Sequence, residues 1–94
     1  MLSSVFLSGR LGEVKDNRTR IVEVEHLIPG PMGRFAVSKL PVRSPLPDTL
    51  LVKASAGALI VLKGRLEADE KDGTLYIIDE VDEIYPLPAS MKRM

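Results

Sequence analysis

The sequence predicts an all-β domain in which five strands close into a small barrel, with a short helical turn between strands three and four. Five runs of alternating residues are separated by turn-forming residues. The motifs SGRLGE and KGRLEA place Gly9 and Gly64 inside two of these runs, and a glycine within a strand is typical of a bulge or sharp bend. The number and order of the elements fit the OB-fold, a five-stranded Greek-key barrel.

The first three strands are predicted over residues 4–14, 19–28 and 34–42. The second contains the run VEVE, whose alternation is typical of a half-buried strand. Between the second and third strands, LIPGPMGRF predicts a hairpin tip in which Gly30 and Gly33 supply unusual backbone angles. Pro41 indicates a sheet edge or the exit of the third strand from the sheet.

The segment DTLLVKASAG predicts one or two helical turns, with Asp48 as N-cap and Gly57 as the stop. The fourth and fifth strands are predicted over residues 58–70 and 71–85, joined by a turn at Asp72-Gly73. On the fourth strand, alternate residues are expected to face the core: Ile60, Leu62, Gly64 and Leu66. The OB-fold domain is thus predicted over residues 1–85, followed by a flexible tail over 86–94.

Composition restricts the class of protein. A chain of 94 residues with 45% hydrophobic and 28% charged residues predicts one folded domain. The absence of cysteine excludes disulfides, thiol catalysis and cysteine-bound metals, and it agrees with a cytoplasmic location. No apolar run approaches the roughly 18 residues of a membrane span, and the first ten residues do not resemble a signal peptide.

Catalysis is not expected. His26 is the only histidine, so it has no partner histidine for a metal site. The acidic run DEVDE (79–83) lies on a strand, where alternate carboxylates point apart. The sequence contains no phosphate loop, nucleophile elbow or dinucleotide motif, and no cofactor or metal is predicted.

The net charge is zero, but the charge is unevenly distributed. Residues 1–66 carry ten basic and five acidic side chains, whereas residues 67–94 carry eight acidic and three basic ones. This asymmetry predicts a basic face and an acidic edge, and a local potential of this kind is what steers a ligand.

Two stretches of the sequence resemble bacterial single-stranded DNA-binding proteins. SSVFLSGRLGEV (3–14) is similar to the opening strand of that family, which runs into Gly-x-Leu-Gly. KASAGALIVLKGRLEADEKDGTLYIIDEV (53–81) is similar to its later half, an alternating strand ending in Gly-x-Leu, a charged hairpin and a final strand. The resemblance covers residues 3–85.

The sequence departs from that family in two respects. It has no tryptophan, on which the family typically stacks bases, and it ends in the slightly basic ASMKRM where the family usually has an acidic tail that recruits partners. The short form without that tail is more similar to the primosomal replication proteins of the same superfamily. The resemblance implies a homodimer or homotetramer that binds single-stranded DNA in replication, repair or recombination, with replication or repair proteins as further partners.

Candidate DNA contacts lie on strands two and three with their hairpin, and on the outward face of strand four. Single-strand binding needs cations for the phosphates and aromatic rings for the bases. Arg34, Lys63 and Arg65 are candidates for phosphate contact, and Phe35 and Tyr76 for base contact. A basic track around the first loop and the third strand completes the predicted set: Arg10, Arg18, Arg20, Lys39 and Arg43.

Each candidate also has a structural interpretation. Lys63 and Arg65 are also typical of solvated positions on a barrel exterior, and Phe35 and Tyr76 of core packing. Aromatic residues outside the set are expected elsewhere: Phe6 in the interior or at an interface, and Tyr85 at the barrel end. Leu59 and Val61 form an apolar patch that suits a subunit contact.

Two further hypotheses remain open. Glu23 and Glu25 project from the presumed outward face, where they repel phosphate, so binding is expected to be weak or strongly salt-dependent. These glutamates, the zero net charge and the absence of tryptophan favour an OB-like protein-interaction or structural module without nucleic-acid binding. RNA binding is the other alternative, and the sequence does not separate it from DNA binding.

Overall fold

The computed structural model describes residues 4–86, which contain five strands and one short helix. These elements are β1 (Val5–Val14), β2 (Thr19–Ile28), β3 (Arg34–Arg43), α1 (Leu50–Lys53), β4 (Leu59–Ala68) and β5 (Leu75–Tyr85). The five predicted strands and the helical turn are confirmed. However, α1 ends at Lys53 with Ala54 as its C-cap, so Gly57 is not the stop that the sequence predicted. Apart from Pro86, the predicted tail lies outside the described residues. The described chain has no helix of the length and apolar character that a membrane span requires.

The strands close into a barrel in the order β1-β2-β3-β5-β4. All neighbouring pairs are antiparallel except β3 and β5, which are parallel and meet at Val42–Ile77 and Arg43–Ile78. β2 and β3 pair over their full length, whereas β1 reaches β2 only as far as Glu23. The outer part of this hairpin, residues 24–38, therefore pairs with neither β1 nor β5, and we call it the arm.

The core is built from the inward-facing side of each strand. Val22 is fully buried while its neighbour Glu23 is half-buried, as the alternation in β2 predicts. The fourth strand behaves as predicted at Ile60 and Leu62, but Leu66 is 48% exposed because it lies in the outer part of the β4–β5 hairpin. Aliphatic side chains from every strand and from α1 complete the core cluster: Leu11, Val22, Val42, Leu51, Ala58, Ile60, Leu62 and Ile77.

The backbones of β4 and β5 approach closely at Gly64. The register shifts between Lys63 and Gly64, which marks a β-bulge. A Cβ atom added at Gly64 would overlap the backbone carbonyl oxygen of Ile78. The predicted bend at this glycine is therefore confirmed, and its cause is the close approach of a neighbouring backbone.

Two predictions about local backbone geometry need correction. Gly33 has a positive φ of 47° at the hairpin tip, but Gly30 does not, so only one of the two glycines has the predicted left-handed conformation. Asp48 is not the N-cap of α1, since the N-cap residue is Thr49, without a side-chain capping bond. Asp48 instead has a φ of 57°, and this left-handed residue turns the chain immediately before the N-cap residue Thr49.

The structure also corrects two expectations about aromatic side chains: the interior alternative for Phe6, whose interface alternative stays open, and the barrel-end position of Tyr85. Phe6 is 77% exposed, so the interior placement is wrong. Tyr85 pairs with Leu59 on the outer side of the barrel, and its hydroxyl donates a hydrogen bond to Glu83. It therefore does not cap the barrel end, because residues at alternate positions of β5 face outward there.

Candidate nucleic-acid interface

The outer face of β3 presents a continuous row of side chains. Residues at every second position of a strand share a face, and those of β3 run from the arm to the barrel seam. The row spans about 27 Å at roughly 3.4 Å per residue. It consists of Phe35, Val37, Lys39, Pro41 and Arg43. An extended row of rings, apolar groups and cations is the arrangement that a flexible single strand requires.

The far end of this row is a cation stacked on an aromatic ring. The guanidinium carbon of Arg43 lies 3.9 Å from the centroid of the Tyr76 ring. Arg43 also donates a 3.3 Å hydrogen bond from Nε to the Thr19 hydroxyl and lies 3.8 Å from the Asp69 carboxylate. The pair is half-buried, so the cation keeps one side towards solvent.

A concavity of about 490 Å³ opens beside this pair. It is lined by the apolar side chains of Ile21 and Pro41, by the ring of Tyr76, and by four polar residues: Lys15, Asp16, Thr19 and Thr74. Volumes of about 300–1,000 Å³ are typical of ligand sites. Apolar side chains, an aromatic ring and a nearby cation suit a planar base joined to a phosphate.

The two loops beside the concavity are held by carboxylates. In the loop after β1, Asp16 Oδ1 accepts hydrogen bonds of 2.8 Å from the backbone N–H groups of Arg18 and Thr19. The bond from Arg18 is the main cause that lowers the pKa of Asp16. In the loop between β4 and β5, Asp72 Oδ1 accepts a 2.8 Å bond from the N–H of Thr74, which lowers the pKa of Asp72. Both walls are therefore fixed by local turns.

Phe35 lies at the other end of the row, on the arm. It is 74% exposed, so the alternative of core packing is wrong for this ring. Leu27 is its cross-strand neighbour on β2 and is also exposed, which gives the arm an apolar outer surface. Arg34 precedes Phe35 and therefore points to the opposite side of the hairpin. The structure does not bring Arg34 and Phe35 onto one face.

Acidic side chains flank the middle of the row. Lys39 pairs with Glu23, and Val37 pairs with Glu25. Arg10 lies across from Glu23 on β1 and donates a 2.9 Å hydrogen bond to the carbonyl of Gly57. Each cation in this part of the surface thus lies near a carboxylate or a carbonyl, which reduces the local positive potential.

Arg20 does not fit the predicted basic track. It is 2% exposed, and it donates hydrogen bonds to the carbonyl oxygens of Gly12, Leu51, Val52 and Ala54. The latter three belong to the C-terminal end of α1, where carbonyl groups lack helical partners. Arg20 therefore ties α1 to the barrel, and its predicted phosphate contact is incompatible with this burial. Burial lowers the pKa of its guanidinium.

The remaining predicted cations occupy two other places. Arg18 lies near the β1–β2 loop and donates a 3.0 Å hydrogen bond from Nε to the carbonyl of Ser44. Lys63 and Arg65 lie on the outer face of β4. Lys63 is opposite Phe6 and Val81, whereas Arg65 is opposite Ile78, which pairs with Arg43 at the end of the β3 row. Arg65 forms salt bridges of 2.6 Å to Glu67 and 3.1 Å to Glu80, which raise its pKa. The structure therefore separates Lys63 from Phe35 and Tyr76, whereas Arg65 lies on the same outer face as Tyr76, diagonally across β4 and β5.

Sequence reasoning missed several members of the site. Val37 and Pro41 complete the row, and Thr19, Ile21 and Lys15 complete the concavity. The signal for the first two was present, because they occupy alternate positions between Phe35 and Arg43. The concavity depends on the contact of β3 with β5, which alternation within one strand does not reveal.

The sequence matches no protein-family model and no curated protein. The fold, however, matches solved structures. The protein priB from Ralstonia solanacearum superposes with a TM-score of 0.66 at 13% identity, covering 90% of this chain and 100% of that one. Rim1, a mitochondrial single-stranded DNA binding protein from S. cerevisiae, superposes with a TM-score of 0.59 at 16% identity, covering 89% and 94%. A second structure of Rim1 gives 0.54 at 20% identity with the same coverage. The barrel of this chain therefore has the OB-fold shared with these proteins, as predicted.

Proposed function

We propose that this protein binds single-stranded DNA without sequence preference, in replication, repair or recombination. The observation that carries the proposal is the row on β3, which begins at Phe35 on the arm and ends at the Arg43–Tyr76 stack. Rings and apolar groups in this row offer faces to any base, and Lys39 and Arg43 offer charge to the phosphates between them. Rim1, which has the same fold, is a single-stranded DNA binding protein, and this likeness supports the proposal.

The expected path of the strand follows from the row. The strand lies along the outer face of β3, with one base against Phe35 and another in the concavity beside Tyr76. Arg18 and Lys15, near the same loop, are the additional cations within reach of a strand that leaves the concavity. The carboxylates of Glu23 and Glu25 lie beside this path, so we expect weak binding that depends steeply on salt.

A polarisation titration tests this function. Labelled oligo-dT of about 16 nucleotides, the upper site size of one OB-fold, is titrated with the protein over salt concentrations from about 50 to 200 mM. We expect saturable binding whose logarithmic salt slope is about −0.7 for each phosphate contacted. Absence of binding at the lowest salt, or binding that does not change with salt, would contradict the proposal. A parallel titration with oligo-U decides between DNA and RNA, because the 2′-hydroxyl distinguishes them.

A second surface supports self-association. The outer face of β1, β4 and β5 carries exposed apolar side chains in adjacent registers: Phe6, Leu59, Val61, Val81 and Tyr85. Lys63 lies between Phe6 and Val81, and Glu83 lies beside Val61, so a two-fold contact can pair opposite charges while burying apolar groups. We propose that this face joins copies of the chain into a homo-oligomer.

The mass of the protein in solution tests this contact. Val81→Glu places a charge at the centre of the proposed contact, and Leu46→Glu places the same charge at an exposed apolar residue outside it. We expect light scattering to give a multiple of the monomer mass for the wild type and for Leu46→Glu, and the monomer mass for Val81→Glu. A wild-type monomer, or an oligomer that tolerates Val81→Glu, would contradict the contact.

A further inference from the structure

The β-bulge in β5 brings two carboxyl groups to the same side of the strand. Lys63 pairs with Val81 and Gly64 pairs with Asp79, so Glu80 is an additional residue without its own partner. Residues three positions apart on a regular strand point to opposite faces, but one additional residue reverses this relationship. Asp79 and Asp82 therefore both point towards the barrel interior, where Asp79 is buried and Asp82 is half-buried.

Burial disfavours the ionised form of Asp79. It is 6% exposed, and its Oδ1 atom is buried without a hydrogen-bond partner among residues 4–86. A lone buried carboxylate is costly, whereas a protonated carboxyl group beside a second carboxylate is not. Burial is the main cause that raises the pKa of Asp79 to about 8, and the hydrogen bond and charge of Asp82 raise it further.

No basic group among the described residues offsets this effect. From β4, Lys63 and Arg65 flank Gly64 but are exposed, and Arg65 is paired with Glu67 and Glu80. From β1, the inward-facing residues are Val5 and Leu7, which carry no charge.

The remaining neighbours also carry no compensating charge. The inward-facing aliphatic residues of β2 and β3, such as Val24 and Leu40, carry no charge, and His26 lies further out on the arm, 3.0 Å from the hydroxyl of Ser38. The buried guanidinium of Arg20 on β2 donates its hydrogen bonds to carbonyl oxygens of Gly12 and the α1 segment and not to the carboxyl pair. On β5 itself, Glu83 accepts a hydrogen bond from Tyr85 on the outer face. The carboxyl pair is therefore stabilised by a proton and not by a cation of the described chain.

We propose that Asp79 and Asp82 share one proton and act as a pH-dependent latch on the β5 bulge. While the proton is present, one carboxyl group donates to the other and both remain inside the barrel. When the proton leaves to water, two negative charges face each other in a poorly solvated site, and at least one must move towards solvent. That movement displaces the β5 backbone immediately after Ile77 and Ile78.

The carboxyl pair lies next to the strand pairing that closes the barrel. Ile77 and Ile78 make the only β3–β5 backbone pairings in the described chain, with Val42 and Arg43. Asp79 follows them directly, so loosening the bulge weakens the seam that closes the barrel. The latch does not depend on the proposed DNA binding, because it acts on the fold itself.

The sign of the effect follows from proton linkage. The folded chain binds this proton more tightly than the unfolded chain, in which an aspartate titrates near about 3.9. The stability it contributes is fully present below the unfolded value, and it is lost as pH rises towards the folded value of about 8. The protein is therefore expected to become less stable from mildly acidic to mildly alkaline pH.

Urea unfolding at a series of pH values between about pH 5 and pH 9 tests the latch. We expect the urea midpoint of the wild type to fall across this range, and that of Asp79→Asn to fall by less than half as much. His26→Gln is the matched control, because histidine is a residue type that titrates in the same range. It should follow the wild type. Parallel curves for the wild type and Asp79→Asn would overturn the proposal.

A measurement on the unmodified protein keeps the test independent of the folding of any variant. The backbone amide resonances of Gly64 and Val81, which lie across the bulge from each other, are followed by NMR as a function of pH. We expect both to shift with a common midpoint near pH 8. Midpoints near about 4, the ordinary value of aspartate, would overturn the proposal even if Asp79→Asn failed to fold.

Discussion

The guanidinium of Arg43 stacks on the ring of Tyr76 at 3.9 Å across the narrowest seam of the barrel. The two residues belong to β3 and β5, which pair at only two positions in the described chain, Val42–Ile77 and Arg43–Ile78. A side-chain contact at a short parallel seam adds stability where few backbone hydrogen bonds exist. The same contact presents a ring and a cation side by side, so fold closure and the candidate interface share these two residues.

Replacing the ring of Tyr76 tests its part in base binding. Tyr76→Leu removes the aromatic face but keeps an apolar side chain, and we expect oligo-dT affinity to fall by about 1–3 kcal/mol, or roughly 5- to 150-fold. Tyr76→Phe keeps the ring and is the matched control, with affinity expected within about twofold of the wild type. Equal affinities for the two variants in the polarisation assay would show that no base stacks on this residue.

The arm provides a second, independent test. Phe35 is 74% exposed and makes no contribution to the core cluster, so Phe35→Ala should leave thermal stability within about 0.5 kcal/mol of the wild type. We expect it to lower oligo-dT affinity by about 1–3 kcal/mol, because one stacking surface is lost.

Leu46→Ala is the control for the arm variant. Leu46 is also exposed and apolar, but it lies in the loop after the opposite end of β3. It should change neither stability nor affinity. If Phe35→Ala binds oligo-dT like the wild type, the strand does not reach the arm, and the interface is limited to the concavity beside Tyr76.

Arg20 should matter for stability and not for binding. Arg20→Met keeps the length of the side chain but leaves the carbonyls of Gly12, Leu51, Val52 and Ala54 without this donor, and we expect a loss of about 3 kcal/mol in the free energy of unfolding. The measurement is urea denaturation, followed by an oligo-dT titration under conditions where the variant is folded. A folded variant whose oligo-dT affinity is reduced by more than about twofold would show that Arg20 contributes to the interface.

The alternation of apolar and polar residues predicted most of the fold. Applied to Arg20 as well, it would also have placed that residue in the interior. Val22 and Val24 face the interior, as the alternation of the VEVE run predicts, and Arg20 lies two positions before Val22 on the same face. Its positive charge favoured a surface role in sequence reasoning, because the α1 carbonyls that receive it lie more than thirty residues further along the chain. Lys63 and Arg65 were placed on the outer face correctly, but one strand's pattern does not reveal which other strands flank that face. The contact of Arg43 with Tyr76 could not be predicted for the same reason, because only the parallel pairing of β3 with β5 brings the two residues together.

Gly64 provides the sharpest test of the bulge on which the carboxyl pair depends. Gly64→Ala adds a Cβ atom that would overlap the Ile78 carbonyl oxygen, and because that atom belongs to the backbone it cannot rotate away. We expect a loss of about 3 kcal/mol in the free energy of unfolding, the upper end of the range for overpacking. Gly30→Ala is the matched control, since no atom lies within 4 Å of a Cβ at that position, and its stability should stay within about 0.5 kcal/mol of the wild type. Equal unfolding midpoints for the two variants would mean that β4 and β5 separate at the bulge at little cost, and Asp79 would then be free to reach water without opening the barrel.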